Sequence, residues 1–364
     1  MGYVIPKHIL KICRCCSIKD AHDKVCCSDL VCYPFNWKYH QGLETGDLNG
    51  AMWCIYTYLL TALDMGKNLR ALERDMANFY KQMKGHHYNE TGTYLKCSWQ
   101  RVLNLLGGKY STNTTLLSGE VMDRDEMLKR AGELNKPLLR ATVLQNELIL
   151  KFHFGKYIEA AEMAISVADE TCNAAAGVRI SITTYCYSTL ACFSAYRTTK
   201  QRKYLKFAKT VSNKIKTWAR KGNPNLAHYI PLLDAELMAA TGKNNLLAGK
   251  LFRNAITTVG RMGMPHEHAI ANERYGDFLF LVMHDREEAA YRLEAAVELY
   301  SEWGASGKVD RMSEQYPDLW ALPLEINLRG GGGEENGDRS SLHLKGKMIL
   351  IKVADDISEP DVDM

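Results

Sequence analysis

Three groupings of residues have types suited to chemistry. The first is a crowd of thiols near the N-terminus: Cys13, Cys15, Cys16, Cys26, Cys27 and Cys32, with His22 among them. Thiolates and imidazoles hold zinc, but zinc sites characteristically pair their cysteines as CxxC. These cysteines are adjacent or one residue apart. Buried helical or unstructured thiols are the simpler reading, and a thiol-based zinc or redox sensor is the alternative. The second grouping is His266-Glu267-His268. A zinc-protease helix needs its histidines four residues apart on one face, and these are two apart. Pro265 beside them reads as a helix start. The third is Gly107-Gly108-Lys109-Tyr110-Ser111. A phosphate loop needs a glycine four residues further upstream, where Leu103 stands. Ser, His and Asp are otherwise scattered without a nucleophile elbow. The expectation is a non-catalytic chain with no metal site and no cofactor.

A fourth grouping concerns binding. Lys200, Arg202, Lys203, Lys206, Lys209, Lys214, Lys216, Arg220 and Lys221 follow one another with no acidic residue between them. On a helix, Lys203, Lys206 and Lys214 leave Val211, Ile215 and Trp218 to face a core. Such a face suits an acidic peptide, a phosphorylated partner or anionic lipid, or it is simply solvated. No aromatic interleaving suggests base stacking, so nucleic acid is not expected.

The elements that must carry these residues are helices. Helical periodicity dominates from about Leu43 to Leu319, and strict alternation is nearly absent there. Asp47 can cap a helix that Gly66 ends, and a second stripe follows with Leu69, Leu72, Met76, Phe79 and Met83. The segment Gly107–Gly119 reads as the longest internal loop. Asp123 starts a helix with Asp125 and Glu126 in its first turn, where the helix dipole favours them. Phe154-Gly155-Lys156-Tyr157, then Ala160, Ala161 and Ala164, has the Gly, Tyr and Ala that a tight helix–turn–helix needs.

The C-terminal half contains a countable repeat. A 41-residue shift superposes Ala248 on Ala289, Ala255 on Ala296, Gly263 on Gly304, Glu273 on Glu314, Tyr275 on Tyr316 and Asp277 on Asp318. Gly222 matches Gly263 one step upstream. Units of two amphipathic helices cannot bury their apolar faces alone and must stack. The expected fold is therefore all-α, a tetratricopeptide-like α-solenoid of stacked helix pairs. It spans residues 43–322, after a cysteine-rich segment 1–42 that is partly helical. Arg329-Gly330-Gly331-Gly332-Gly333 opens a flexible, acidic tail over 323–364.

Composition supports a packed chain. Hydrophobic residues are 46% of the 364 and charged residues 24%, which allows a substantial core and excludes wholesale disorder. A net charge of +4 is too small to imply nucleic acid. The first apolar run stops at Lys7, short of a signal peptide, and the uncharged stretches Leu48–Leu63 and Ile180–Tyr196 are short for a membrane span. Eleven cysteines, an odd number, favour reduced thiols and a cytoplasmic chain.

Several segments carry a resemblance. They are Gln41-Gly-Leu-Glu-Thr-Gly-Asp47, the helix Ala71–Met83, Trp99-Gln-Arg-Val-Leu-Asn-Leu-Leu-Gly107 and Leu117-Ser-Gly-Glu-Val-Met122. To these are added Phe154-Gly-Lys-Tyr157, Lys221-Gly-Asn-Pro-Asn-Leu-Ala-His-Tyr229, Ala271-Asn-Glu-Arg-Tyr-Gly276, Tyr300-Ser-Glu-Trp-Gly-Ala305 and Gln315-Tyr-Pro317. Together they resemble the tetratricopeptide-like helical region that follows the AAA-type ATPase module in large serine/threonine-kinase-like and hybrid histidine kinase signalling proteins. No Walker, kinase or phospho-acceptor motif accompanies them, so the chain reads as the helical middle of such a protein standing alone. The resemblance implies a non-catalytic interaction and regulatory module of signal transduction. Its partner would be a protein or peptide, such as an ATPase or kinase domain, and the alternative is a regulatory subunit or fragment of such an enzyme. Candidate partner-binding positions on a groove are Asn223, Asn225, His228, Tyr229, Asn272, Glu273 and Arg274, with Lys203 and Lys206 from the basic run. The competing reading makes Asn and His around Pro224 helix caps, and Glu273 with Arg274 a surface pair.

Overall fold

The computed structural model describes residues 39–317, apart from 86–88, 111–112, 175–178 and 224–225. These all fall in the first of the chain's two units, Met1–Ala321. The expected N-terminal thiol cluster, the Gly-rich tail, Asn225 and the Asp318 end of the repeat lie outside the described residues.

The described chain is helical, with no strand among the described residues. The helices are α1 (Leu48–Asp64), α2 (Leu69–Gly85), α3 (Asn89–Leu106), α4 (Arg124–Glu133), α5 (Pro137–His153), α6 (Tyr157–Ala174) and α7 (Arg179–Thr199). They continue as α8 (Arg202–Arg220), α9 (Tyr229–Thr241), α10 (Asn245–Gly260), α11 (Pro265–Phe278), α12 (Arg286–Trp303) and α13 (Ser306–Gln315). A π-helical turn, Leu279–Met283, extends α11. Consecutive helices pack as pairs, most extensively α5 on α6, α7 on α8, α9 on α10 and α11 on α12.

Local chemistry explains the boundaries. The Asp47 carboxylate accepts the Gly50 N–H at the head of α1, and Asp123 accepts those of Asp125 and Glu126 at the head of α4. Between α3 and α4 the loop is fastened from within. Asn104 Nδ2 donates to the carbonyls of Thr114 and Leu116 at 3.1 and 2.6 Å, and Gln100 Oε1 accepts the Val121 N–H at 3.1 Å. Sequence patterning missed this anchoring, because nothing in the helix's periodicity marks Gln100 and Asn104 as buried amides.

The 41-residue repeat is a structural repeat. α10 starts at Asn245 and α12 at Arg286, while α11 starts at Pro265 and α13 at Ser306. Asn244 caps α10 by accepting the Leu247 N–H, and Asp285, 41 residues on, caps α12 by accepting the Glu288 N–H. Ala248, Ala255, Ala289 and Ala296 are all fully buried. Gly263 and Gly304 both turn with positive φ, +66° and +92°, which only glycine adopts without strain.

One arrangement departs from a one-dimensional stack, where each unit touches only its neighbours. Here the first helices meet the last. α13 packs against α3. Asn68 Nδ2 donates to the Glu302 carbonyl at 3.0 Å. Gly107 and Gly307 approach so closely that a Cβ on Gly107 would lie 2.6 Å from the Gly307 Cα. Gly107 is therefore a backbone packing point for α13.

Candidate functional site

Two helices carry most of the candidate residues, the interior helix α11 and the exterior helix α8. On α11, His266, Glu267, Asn272, Glu273, Arg274 and Asp277 are all buried. Small residues, Ala269, Ala271 and Gly276, let neighbours close around this helix. A Cβ on Gly276 would meet the Leu293 Cγ of α12 at 2.7 Å.

Arg274 is the hub. Its Nε donates to Glu236 Oε1 of α9 at 2.7 Å, one terminal nitrogen to Asp277 Oδ2 at 2.7 Å, and the other to Ser194 Oγ of α7 at 2.7 Å. The guanidinium also lies 4.7 Å from the ring centre of Tyr157 on α6. Arg197 adds a second cation 3.1 Å from Glu236 Oε2. Glu273 accepts from Lys308 Nζ of α13 at 2.6 Å and from the Tyr300 hydroxyl of α12 at 2.7 Å. Tyr316 donates its hydroxyl to Asp277. Arg274, Arg197 and Lys308 thus face Glu236, Asp277 and Glu273, while burial raises the Glu236 carboxyl well above its usual range and that of Glu273 above it. Burial works against the Arg274 charge, yet Tyr157, Asp277 and Tyr316 around it raise its pKa.

The N-terminal end of α11 is polar and buried. Glu267 Oε1 accepts the hydroxyls of Tyr229 at 2.7 Å and Tyr187 at 3.0 Å. Burial pushes its pKa up to about 7 against those two hydrogen bonds. His266 stacks on Trp303, ring centres 5.1 Å apart. Burial, with His228 and Arg101 nearby, lowers its pKa to about 3. His153 is lowered well below the usual range, by burial first and then by Lys308, Arg101 and His266. Asp64, Arg101, His153, Tyr187, His266 and Trp303 line a cavity of about 10 Å³ there. That is room for about one water, so these groups form a packed centre and not a ligand pocket.

The predicted groove positions therefore need correction. Asn272, Glu273 and Arg274 are 2, 3 and 1% exposed and point into the interior. Glu273 and Arg274 are not a surface pair either, since each binds a different helix. His228 and Tyr229 are buried, with ring centres 4.0 Å apart. His228 stands at the N-cap of α9, but its side chain makes no cap hydrogen bond. Asn223 is half-buried in the turn after α8, its N–H bonded to the Trp218 carbonyl. The sequence reading failed on α11 because charges at 266, 267, 273, 274 and 277 suggest a solvated helix. The available signal was the small residues interleaved with them, which leave no broad face free of close packing.

The α8 expectation agrees with the structure in its geometry. Val211 and Ile215 are buried and Trp218 half-buried, while Lys203, Lys206 and Lys214 are exposed. Lys203 is engaged with Glu162 of α6, and Lys216 with Asp234 of α9. Lys214 lies over the rings of Tyr185 and Trp218, at 4.7 and 5.1 Å. Among the described residues no carboxylate lies within ion-pair distance of Arg202, Lys206 or Lys209.

Among the described residues no group of three His, Cys, Asp or Glu is gathered to hold a metal. No helix there is long and apolar enough to cross a membrane. Cys97, Cys186 and Cys192 are free, buried thiols. Burial raises the pKa of Cys97 and Cys192 to about 12 and that of Cys186 well above its usual value, so these thiols are unreactive. A second depression, of about 290 Å³, lies among Tyr80, Lys84, Thr93, Lys96 and Arg130. No family model matches the chain, and no curated protein or solved structure matches it.

Proposed function

We propose that this chain is a non-catalytic, tetratricopeptide-like helical-repeat module that binds a protein and regulates it in signal transduction. The observation that carries the reading is the repeated unit. Two helices, a left-handed glycine turn and a side-chain cap recur at one 41-residue offset. Repeats of this kind present large, rigid helical surfaces, and rigid surfaces suit partner binding. The resemblance to the helical region of AAA-ATPase-linked kinases names the class of partner, an ATPase or kinase domain. The free, buried thiols support a cytoplasmic setting.

The contact surface under this reading is exterior. Binding then falls to outward helix faces, with Lys206 among the positions named from sequence, and the close contact of α3 with α13 and the filled centre around α11 support this reading. The test is capture by the tagged full chain, followed by cross-linking and mass spectrometry. A stoichiometric ATPase or kinase-domain protein is the expected product. Capture of no protein, or turnover of ATP by the purified chain alone, overturns the reading.

A further inference from the structure

The outward face of α8 combines features that a solvated helix does not require. Arg202, Lys206, Lys209, Asn213 and Arg220 are all exposed. At ~100° per residue they fall within a fan of about 60°, and they run for roughly 27 Å along the helix. α8 contains no acidic residue that would neutralise them in i,i+4 pairs. The opposite face, Tyr204, Ala208, Val211 and Ile215, is buried in the core and holds the helix in place.

The cations beside the stripe are engaged, Lys214 over the rings of Tyr185 and Trp218. On one side Lys203 is held by Glu162 of α6, and on the other Lys216 is held by Asp234 of α9. Each flank therefore presents a carboxylate beside the stripe. Both carboxylates are paired with lysines, so these ion pairs add little to attract the wide phosphate face of a bilayer or a nucleic-acid duplex. The buried apolar face of α8 also cannot enter lipid. A single polypeptide segment is narrow enough to lie on the stripe alone. A helix with carboxylates at i, i+4 and i+7 repeats the same 3.6-residue period and meets the cations in register.

We propose that the Arg202–Lys206–Lys209–Arg220 stripe of α8 is the docking site for an acidic helical segment of a partner protein. The proposal rests on the interaction-module reading and names its surface and the chemistry of its partner. It also separates Lys206 from Lys203, whose charge is already taken by Glu162.

The test uses the full chain and fluorescence anisotropy at low salt. The probe is a labelled alanine-based helix of about 20 residues with glutamates at i, i+4 and i+7. Mixed phosphatidylcholine–phosphatidylserine vesicles and a single-stranded oligonucleotide are the competing probes. Lys206→Glu with Lys209→Glu is compared with a charge-matched control, Lys243→Glu with Lys250→Glu, whose lysines are exposed elsewhere. The α8 variant is expected to lose about tenfold or more in peptide affinity and the control under about twofold, with melting temperatures unchanged. Equal losses in the two variants overturn the proposal, as does tighter α8-dependent binding of vesicles or oligonucleotide than of peptide. A captured partner that binds equally well after charge reversal on α8 overturns the stripe and leaves the module reading standing. No captured partner at all overturns the reading itself.

Discussion

α8 and α11 are both rich in charge, and the fold treats them in opposite ways. α8 carries its cations on one side and its apolar residues on the other, so the core takes the apolar stripe and water takes the rest. α11 interleaves Glu267, Glu273, Arg274 and Asp277 with alanine, glycine, isoleucine and aromatic residues and leaves no clean apolar face. The neighbouring helices supply a partner for each buried charge: Glu236 and Ser194 for Arg274, Lys308 and Tyr300 for Glu273, Tyr316 for Asp277. The difference teaches that a charge run predicts exposure only when the helix also offers an apolar face to bury. Without that face, complementary partners decide, because an unpaired buried charge costs several kcal/mol and a paired one far less.

The sharpest way to break this comparison is Arg274→Met. It leaves Glu236 and Asp277 without their shared cation, and the expected loss is about 4–5 kcal/mol in urea unfolding. A loss near zero would mean that α11 tolerates bare carboxylates as α8 tolerates bare lysines. Next is Lys308→Met, which strands Glu273 in the interior. About 3–4 kcal/mol should be lost, and adding Glu273→Gln should restore part of it, a coupling of about 1–3 kcal/mol in a double-mutant cycle. Additive losses would show that the two side chains do not stabilise each other.

A pH measurement sharpens the picture at the N-terminal end of α11. Glu267 titrates at about 7 in the fold against 4.5 ordinarily. The folded chain therefore keeps a proton that the unfolded chain has released. Stability from this group is full below about pH 4.5 and is lost as pH rises to about 7. His266, lowered to about 3, runs the other way: its contribution is present above 6.5 and lost as pH falls toward 3. Comparing the parent chain with Glu267→Gln cancels the His266 slope. From pH 5 to pH 8 the parent should lose about 2–3 kcal/mol relative to the variant. Parallel pH profiles would show that Glu267 is ionised throughout.

The smallest expected effect is on α8. Lys206→Glu with Lys209→Glu should change unfolding free energy by no more than about 0.5 kcal/mol, since neither lysine has a carboxylate partner to lose. A large loss would mean that the stripe is structural.

Much of the architecture was legible beforehand. The caps at Asp47 and Asp123, the helix pair across Gly155 and the 41-residue unit all depend on residues within a few turns of one another. Local hydrogen bonding and backbone sterics determine such features, so sequence alone suffices for them. The amphipathic face of α8 was legible for the same reason. What the sequence could not show was that α3 meets α13 through Gly107 and Gly307, and that Glu273 and Lys308, 35 residues apart, find each other inside. Those partners lie on separate helices. Whether a charge is buried depends on which groups packing brings within about 3 Å of it, and only the tertiary structure decides that.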